Sequence, residues 1–228
     1  MTFGGFIPST LIDYPGHVAA MVFTIGCNFR CPYCHNPELV DETVTETYSA
    51  EEILAFLKKR VGMLDGIVIT GGEPTMHEEL LSFLEKVKRL DFKVKLDTNG
   101  TNPDFLERAY DRKLLDYVAM DVKAPRSRYH EIVGRPVDTE AIQRSMQLLR
   151  ESTVPYEFRT TLIKALLSPE DVQSIAQELD ETDTYYLQKF IPTKILNPQF
   201  KRKVSYSEEE YEALLDKVRP YVKTCALR

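Results

Sequence analysis

Three cysteines stand close together at Cys27, Cys31 and Cys34, within Gly26-Cys27-Asn28-Phe29-Arg30-Cys31-Pro32-Tyr33-Cys34-His35. Cysteine thiolates are the usual protein ligands of iron–sulfur clusters. Three of them can hold three irons of a 4Fe-4S cluster and leave the fourth iron without a protein ligand. An open iron is a place for chemistry, so the spacing points to an enzyme. The competing reading is a structural Cys3His zinc site completed by His35. Adjacent side chains such as Cys34 and His35 rarely converge on one tetrahedral ion, and zinc motifs usually come as two separated pairs. The remaining cysteine, Cys225, is too isolated in sequence to suggest a disulfide framework.

A second group of candidates follows at intervals. Ile67-Val68-Ile69-Thr70 reads as a buried strand ending in Gly71-Gly72-Glu73-Pro74. Glycine lets a backbone approach a ligand closely, and Glu73 would then be an acceptor for a ligand cation such as an ammonium; the bland alternative is a tight turn with an exposed glutamate. Asp97-Thr98-Asn99-Gly100, Asp121-Val122-Lys123, Arg159 with Thr161, and Gln188 with Lys189 each fall at the end of another strand-like run. Asp97 and Asp121, at neighbouring strand ends, would repel unless a cation intervenes. An ordinary salt bridge of either carboxylate to Lys123 is the plainer outcome. Arg159 could clamp a ligand carboxylate or pair with Glu157 or Asp121.

The elements that must position these groups are six strands alternating with helices. The strands are 18–24, 67–70, 93–96, 117–120, 156–160 and 185–190, rich in β-branched and aromatic residues. Helix starts are marked by Ser49 with Glu52 and Ser207 with Glu210, which read as capping boxes. Asn102-Pro103 and Ser168-Pro169 each set a cap before proline, and Asp138 or Thr139 caps a further helix. Alternating strand and helix implies parallel strands and right-handed crossovers. Six units fall short of the eight of a closed barrel. A partial (β/α)6 barrel, TIM-like but open, is expected; a flat doubly wound sheet is the alternative. In either, ligands gather at the carboxyl ends of parallel strands.

The 228 residues suit one domain spanning 1–228, and the net charge of −6 argues against a nucleic-acid surface. No apolar run is long enough to span a bilayer, and few cysteines without an export segment suggest a reducing, cytoplasmic setting.

Cys27-x3-Cys31-x2-Cys34 together with Gly71-Gly72-Glu73-Pro74 closely resembles the radical S-adenosylmethionine enzymes, in strand count and motif order over the whole chain. The resemblance implies a 4Fe-4S cluster whose open iron is chelated by S-adenosyl-L-methionine. It implies cofactor contacts from Tyr33 (near the adenine edge), Gly71, Gly72, Glu73, Asp97, Asn99, Asp121, Lys123, Arg159 and Gln188. It also implies a monovalent cation between Asp97 and Asp121, joined by the carbonyls of Thr98 and Ala119. Ser9-Thr10-Leu11-Ile12-Asp13-Tyr14-Pro15-Gly16 and Cys34-His35-Asn36-Pro37-Glu38-Leu39 are similar to glycyl-radical activases, in particular those serving anaerobic ribonucleoside-triphosphate reductase. On that likeness Asp13 lies where the substrate glycine loop docks. A glycyl-radical enzyme is the partner and a flavodoxin or ferredoxin the electron donor. A radical enzyme acting on a small molecule and a non-catalytic metal-binding protein are the alternatives.

Overall fold

The computed structural model describes residues 1–202 and 205–228. Nine strands form one sheet: β1 (Thr2–Thr10), β2 (Ala19–Thr24), β3 (Tyr48–Ser49), β4 (Gly66–Gly71), β5 (Lys93–Thr98), β6 (Tyr117–Asp121), β7 (Tyr156–Leu162), β8 (Thr184–Lys189) and β9 (Thr224–Leu227). Their order is β3-β1-β2-β4-β5-β6-β7-β8-β9. From β2 to β9 every pairing is parallel, whereas β1 pairs antiparallel with both β2 and β3. The six expected strands are β2 and β4 to β8; β1, β3 and β9 are additions at the two edges.

Eight α-helices connect them: α1 (Pro37–Val40), α2 (Ala50–Lys58), α3 (Glu79–Lys88), α4 (Pro103–Asp111), α5 (Tyr129–Val133), α6 (Thr139–Glu151), α7 (Pro169–Gln177) and α8 (Glu208–Val218). The caps read from sequence are formed. Ser49, Ser168 and Ser207 each make a capping box, Asn102 accepts from the Phe105 N–H, and Asp138 accepts from Glu140 and Ala141.

Side-chain alternation separates two faces. Ala20, Val22, Ile67, Ile69, Val94, Leu96, Val118, Met120, Phe158 and Leu187 all point to the helices and share one large core with them. The opposite face carries a small apolar cluster of Tyr14, Ala19, Met21 and Val68, against which Phe23 and Tyr117 pack. Helices therefore cover one face only. A doubly wound sheet would be covered on both, so the fold is the open, barrel-like one. The inner face becomes polar toward the carboxyl ends of the strands, where Asp97, Asp121 and Arg159 replace the aliphatic residues, with Lys95 one step behind Asp97 and Glu157 at the amino end of β7.

Candidate functional site

The cysteine loop leaves the end of β2 and is tied down on several sides. Gly72 N–H donates to Thr24 O (3.0 Å) and Glu73 N–H to Gly26 O (2.9 Å), so the turn after β4 holds the root of the loop. Arg30 N–H donates to Val133 O at the end of α5 (2.9 Å). From the segment after β8, Leu196 N–H reaches Cys34 O and Asn197 N–H reaches Pro32 O, both at 2.9 Å. The loop is thus shaped by main-chain bonds from three different connections, all at the carboxyl end of the sheet.

Cys27, Cys31 and Cys34 line one cavity there. Burial pushes the Cys27 thiol up to about 12 and the Cys31 thiol up to about 11, and raises Cys34 as well. Among the described residues no three Cys, His, Asp or Glu side chains close on a single-ion site. His35, the fourth ligand that a zinc site would need, turns its Nε2 to Ile191 O at 2.8 Å and stacks on Phe190. The donor set suits a larger group that takes three thiolates at separate corners. Tyr33 lines the same cavity, and its buried hydroxyl has no hydrogen-bond partner. It lies beside the Cys31 thiol.

Gly71 and Gly72 also face the cavity. Gly71 has φ +115°, and a Cβ on Gly72 would fall 1.8 Å from Gly26 O, so both positions exclude side chains. Glu73 lines the cavity as well. Its carboxylate is 1 % exposed and accepts at Oε1 from Thr75 N–H (3.0 Å), Thr75 Oγ1 (2.6 Å) and Thr98 Oγ1 (2.7 Å), and at Oε2 from Asn99 N–H (2.7 Å). Those four donors bind the turn after β4 to the turn after β5. Asn99 extends the tie by donating from Nδ2 to Asn28 Oδ1 in the cysteine loop (2.8 Å).

Asp97, Asp121, Lys123 and Arg159 line the far wall. Arg159 donates from Nε to Asp121 Oδ1 (3.0 Å) and from Nη1 to Asp97 Oδ2 (3.4 Å). Lys123 Nζ donates to Asp121 Oδ2 at 2.8 Å, and the buried Lys95 pairs with Asp97. The Arg159 guanidinium thus stands between two neighbouring carboxylates. Asp121 loses solvation, which alone would raise its pKa, but Arg159 and Lys123 outweigh this and hold it at about 2.

Two expected residues lie elsewhere. Gln188 is one step back from the cavity and accepts from Thr161 Oγ1 at 3.3 Å. Asp13 is not brought to the cavity. Because β1 runs antiparallel to β2, with Thr10 opposite Ala19, the connection between them returns to the amino end of β2, opposite the cysteines. There Asp13 accepts from the Thr10 hydroxyl. Sequence reasoning missed Lys95, and it gave Thr98 a role through its carbonyl, whereas the structure adds a bond from its hydroxyl to Glu73. Lys95 had a signal: it stands two residues before Asp97 in a strand and so shares its face.

A family model described as the Radical SAM superfamily matches residues 21–182. The chain is 33 % identical over 234 residues to a putative glycyl-radical enzyme activating enzyme of Methanocaldococcus jannaschii, covering 98 % of this chain and 94 % of that protein. A second protein of the same description and organism is 28 % identical over 72 % of this chain and 64 % of its own length. In fold, the chain is similar to a radical SAM methyltransferase from Sphaerobacter thermophilus, with a TM-score of 0.72 at 19 % identity over 96 % of this chain and 68 % of that one.

Proposed function

Because the chain belongs to the Radical SAM superfamily, whose members use a 4Fe-4S cluster and S-adenosyl-L-methionine, we propose that it is an activase that places a glycyl radical on a partner enzyme. As a member of that superfamily it is a radical SAM enzyme of oxidoreductase type. The likeness to a putative glycyl-radical enzyme activating enzyme along 98 % of the chain is the observation that carries the proposal. The finer choice of partner, an anaerobic ribonucleoside-triphosphate reductase, rests on the Ser9–Gly16 and Cys34–Leu39 segments.

Cys27, Cys31 and Cys34 are the ligands of three irons. The orphaned Tyr33 hydroxyl in a cavity lined by all three cysteines supports the fit of cluster and cofactor to this cavity. Cluster and cofactor together would supply one-electron reduction and hydrogen-atom abstraction from a glycine α-carbon. The residues of the chain bind and orient. The main chain at Gly71 and Gly72 would hold the methionyl ammonium, and Lys123 and Arg159 would pair with its carboxylate, a charge-assisted interaction. Asp97 and Asp121 fix those two cations, and Asn99 would hold the adenosyl moiety. Glu73 keeps the turns in place. Gln188, through Thr161, supports the rim. A low-potential flavodoxin or ferredoxin is the electron donor, since the reaction consumes one electron per turnover.

The test is anaerobic reconstitution with iron and sulfide, reduction with dithionite, and assay of 5′-deoxyadenosine with and without a purified anaerobic ribonucleoside-triphosphate reductase. Cofactor cleavage and a glycyl doublet in the electron paramagnetic resonance spectrum are expected, both lost in Cys31→Ala. Cleavage without the doublet refutes the choice of partner. No cleavage, or full activity in Cys31→Ala, refutes the activase.

A further inference from the structure

The side chain of Tyr33 contains the one polar atom in the cavity wall that is both buried and without a hydrogen-bond partner among the described residues. Buried hydroxyls are nearly always paired, and an orphan in a native protein needs a reason. A phenol carries an O–H donor, and two features of the surroundings narrow that reason to a donor role. First, the other groups near it are already committed. Lys123 Nζ is bonded to Asp121, and the Tyr129 hydroxyl accepts the Lys123 N–H at 3.1 Å. Second, the acceptor it lies beside is the Cys31 sulfur, 7 % exposed and hence shielded from water that could satisfy it otherwise. A neutral thiol is a weak acceptor, whereas a metal-bound thiolate is a good one.

We infer that the Tyr33 hydroxyl donates a hydrogen bond to the Cys31 sulfur once that thiolate binds iron, and so raises the reduction potential of the cluster. The direction follows from charge. Reduction adds an electron to the cluster and its sulfurs, a donor aimed at sulfur stabilises the reduced form more than the oxidised one, and hydrogen bonds to sulfur are among the levers that set cluster potentials. Tyr33 is thus a positioning residue that tunes the group held by its neighbours. The inference rests on the proposed cluster, and its test separates the two.

Reconstituted wild type, Tyr33→Phe and Tyr110→Phe are titrated by spectroelectrochemistry with electron paramagnetic resonance detection, alongside iron and sulfide counts. Tyr110, on α4, also buries an unpartnered hydroxyl but outside this cavity, so it serves as the control. With iron content unchanged, Tyr33→Phe should make reduction about tenfold less favourable, a midpoint roughly 59 mV more negative for one electron, while Tyr110→Phe matches wild type. Should Tyr33→Phe fail to load, 3-fluorotyrosine at position 33, a stronger donor of the same shape, should move the midpoint positive. Equal midpoints in wild type and in whichever Tyr33 variant loads overturn the inference and leave the cluster standing. A wild type that binds no iron overturns the cluster itself, and the tuning role with it.

Discussion

Gly72→Ala tests whether the turn after β4 is the clamp on the cysteine loop. A methyl group at position 72 would stand 1.8 Å from Gly26 O and 2.6 Å from its carbonyl carbon, where real contacts stay beyond 3.0 Å. Relief requires the two segments to part by about 1.2 Å, the difference between 3.0 and 1.8 Å. The atom in the way is backbone, so no rotamer change removes the clash. A parting of that size stretches the bond from Glu73 N–H to Gly26 O from 2.9 Å to about 4 Å, beyond hydrogen-bond range, and disturbs the one from Gly72 N–H to Thr24 O. The two bonds contribute about 1 kcal/mol each, and overpacking adds about 1–3 kcal/mol. At about 2–4 °C per kcal/mol for a chain of this length, the expected loss is about 6–20 °C in the Tm of the metal-free chain. Gly26 precedes Cys27 directly, so iron uptake on reconstitution should fall as well. Gly62→Ala is the control, because φ there is also positive at +78° but no atom lies within 4 Å of the added Cβ. Its backbone strain is worth about 1 kcal/mol. Circular dichroism melts and iron counts read both effects. A Gly72→Ala chain that melts with wild type and binds the same iron would refute the clamp.

Two further predictions concern the charged wall. Asp121 is held at about 2, below its usual 3.8, so its ionised form is favoured by folding. The stability this gives is present above pH 3.8 and is lost as pH falls toward 2, on the order of 2 kcal/mol for a shift of this size. Urea midpoints across that window should fall steeply in wild type and much less in Asp121→Asn; equal slopes would show that the carboxylate is not the group responsible. Arg159→Gln removes the guanidinium between Asp97 and Asp121, which breaks a largely buried ion network and should cost about 3 kcal/mol. If the two carboxylates then recruit an ion, potassium chloride should stabilise this variant more than choline chloride does. Wild-type stability should not distinguish the salts, and neither should the variant if the wall collapses in some other way.

The parallel strands and the cavity were legible because both leave local marks. Each strand from β2 to β8 that carries the site ends in a residue type that has no reason to follow an apolar run unless something is bound there. Edge elements leave weaker marks. β1 contains Gly4, Gly5 and Pro8, residues that usually argue against a strand, and its pairing with β2 is irregular on both sides of Gly5 to Ile7. The hairpin of β1 and β2, which carries Asp13 to the amino end of β2, was therefore not legible. The structural ties of Glu73 were illegible for a different reason. Two of the residues that donate to its carboxylate, Thr98 and Asn99, arrive from the next unit of the fold. Nothing local to position 73 announces them. Arg159 shows the converse: a pairing with Asp121 was foreseeable, whereas its reach to Asp97, two strands away, depends on the curvature of the sheet.

The salt bridge of Lys123 and a role for Lys123 toward the bound groups are not competing readings. All three cysteines are buried enough to favour the protonated thiol, so a metal that binds them must displace protons, and loading should improve as pH rises. Lys123 works against that burial at each of the three, favouring thiolate. It can do so only while it is charged, and burial alone would strip its proton. Asp121 prevents this, by its charge and its hydrogen bond, so the lysine titrates well above its ordinary range. Asp121 is in turn kept ionised chiefly by Arg159 and Lys123. Arg159 is shared with Asp97, which has Lys95 behind it. The chain of ion pairs thus carries a fixed positive charge from β5, β6 and β7 to the rim of the cysteine loop. There, three thiolates would otherwise be confined together with little water to separate them.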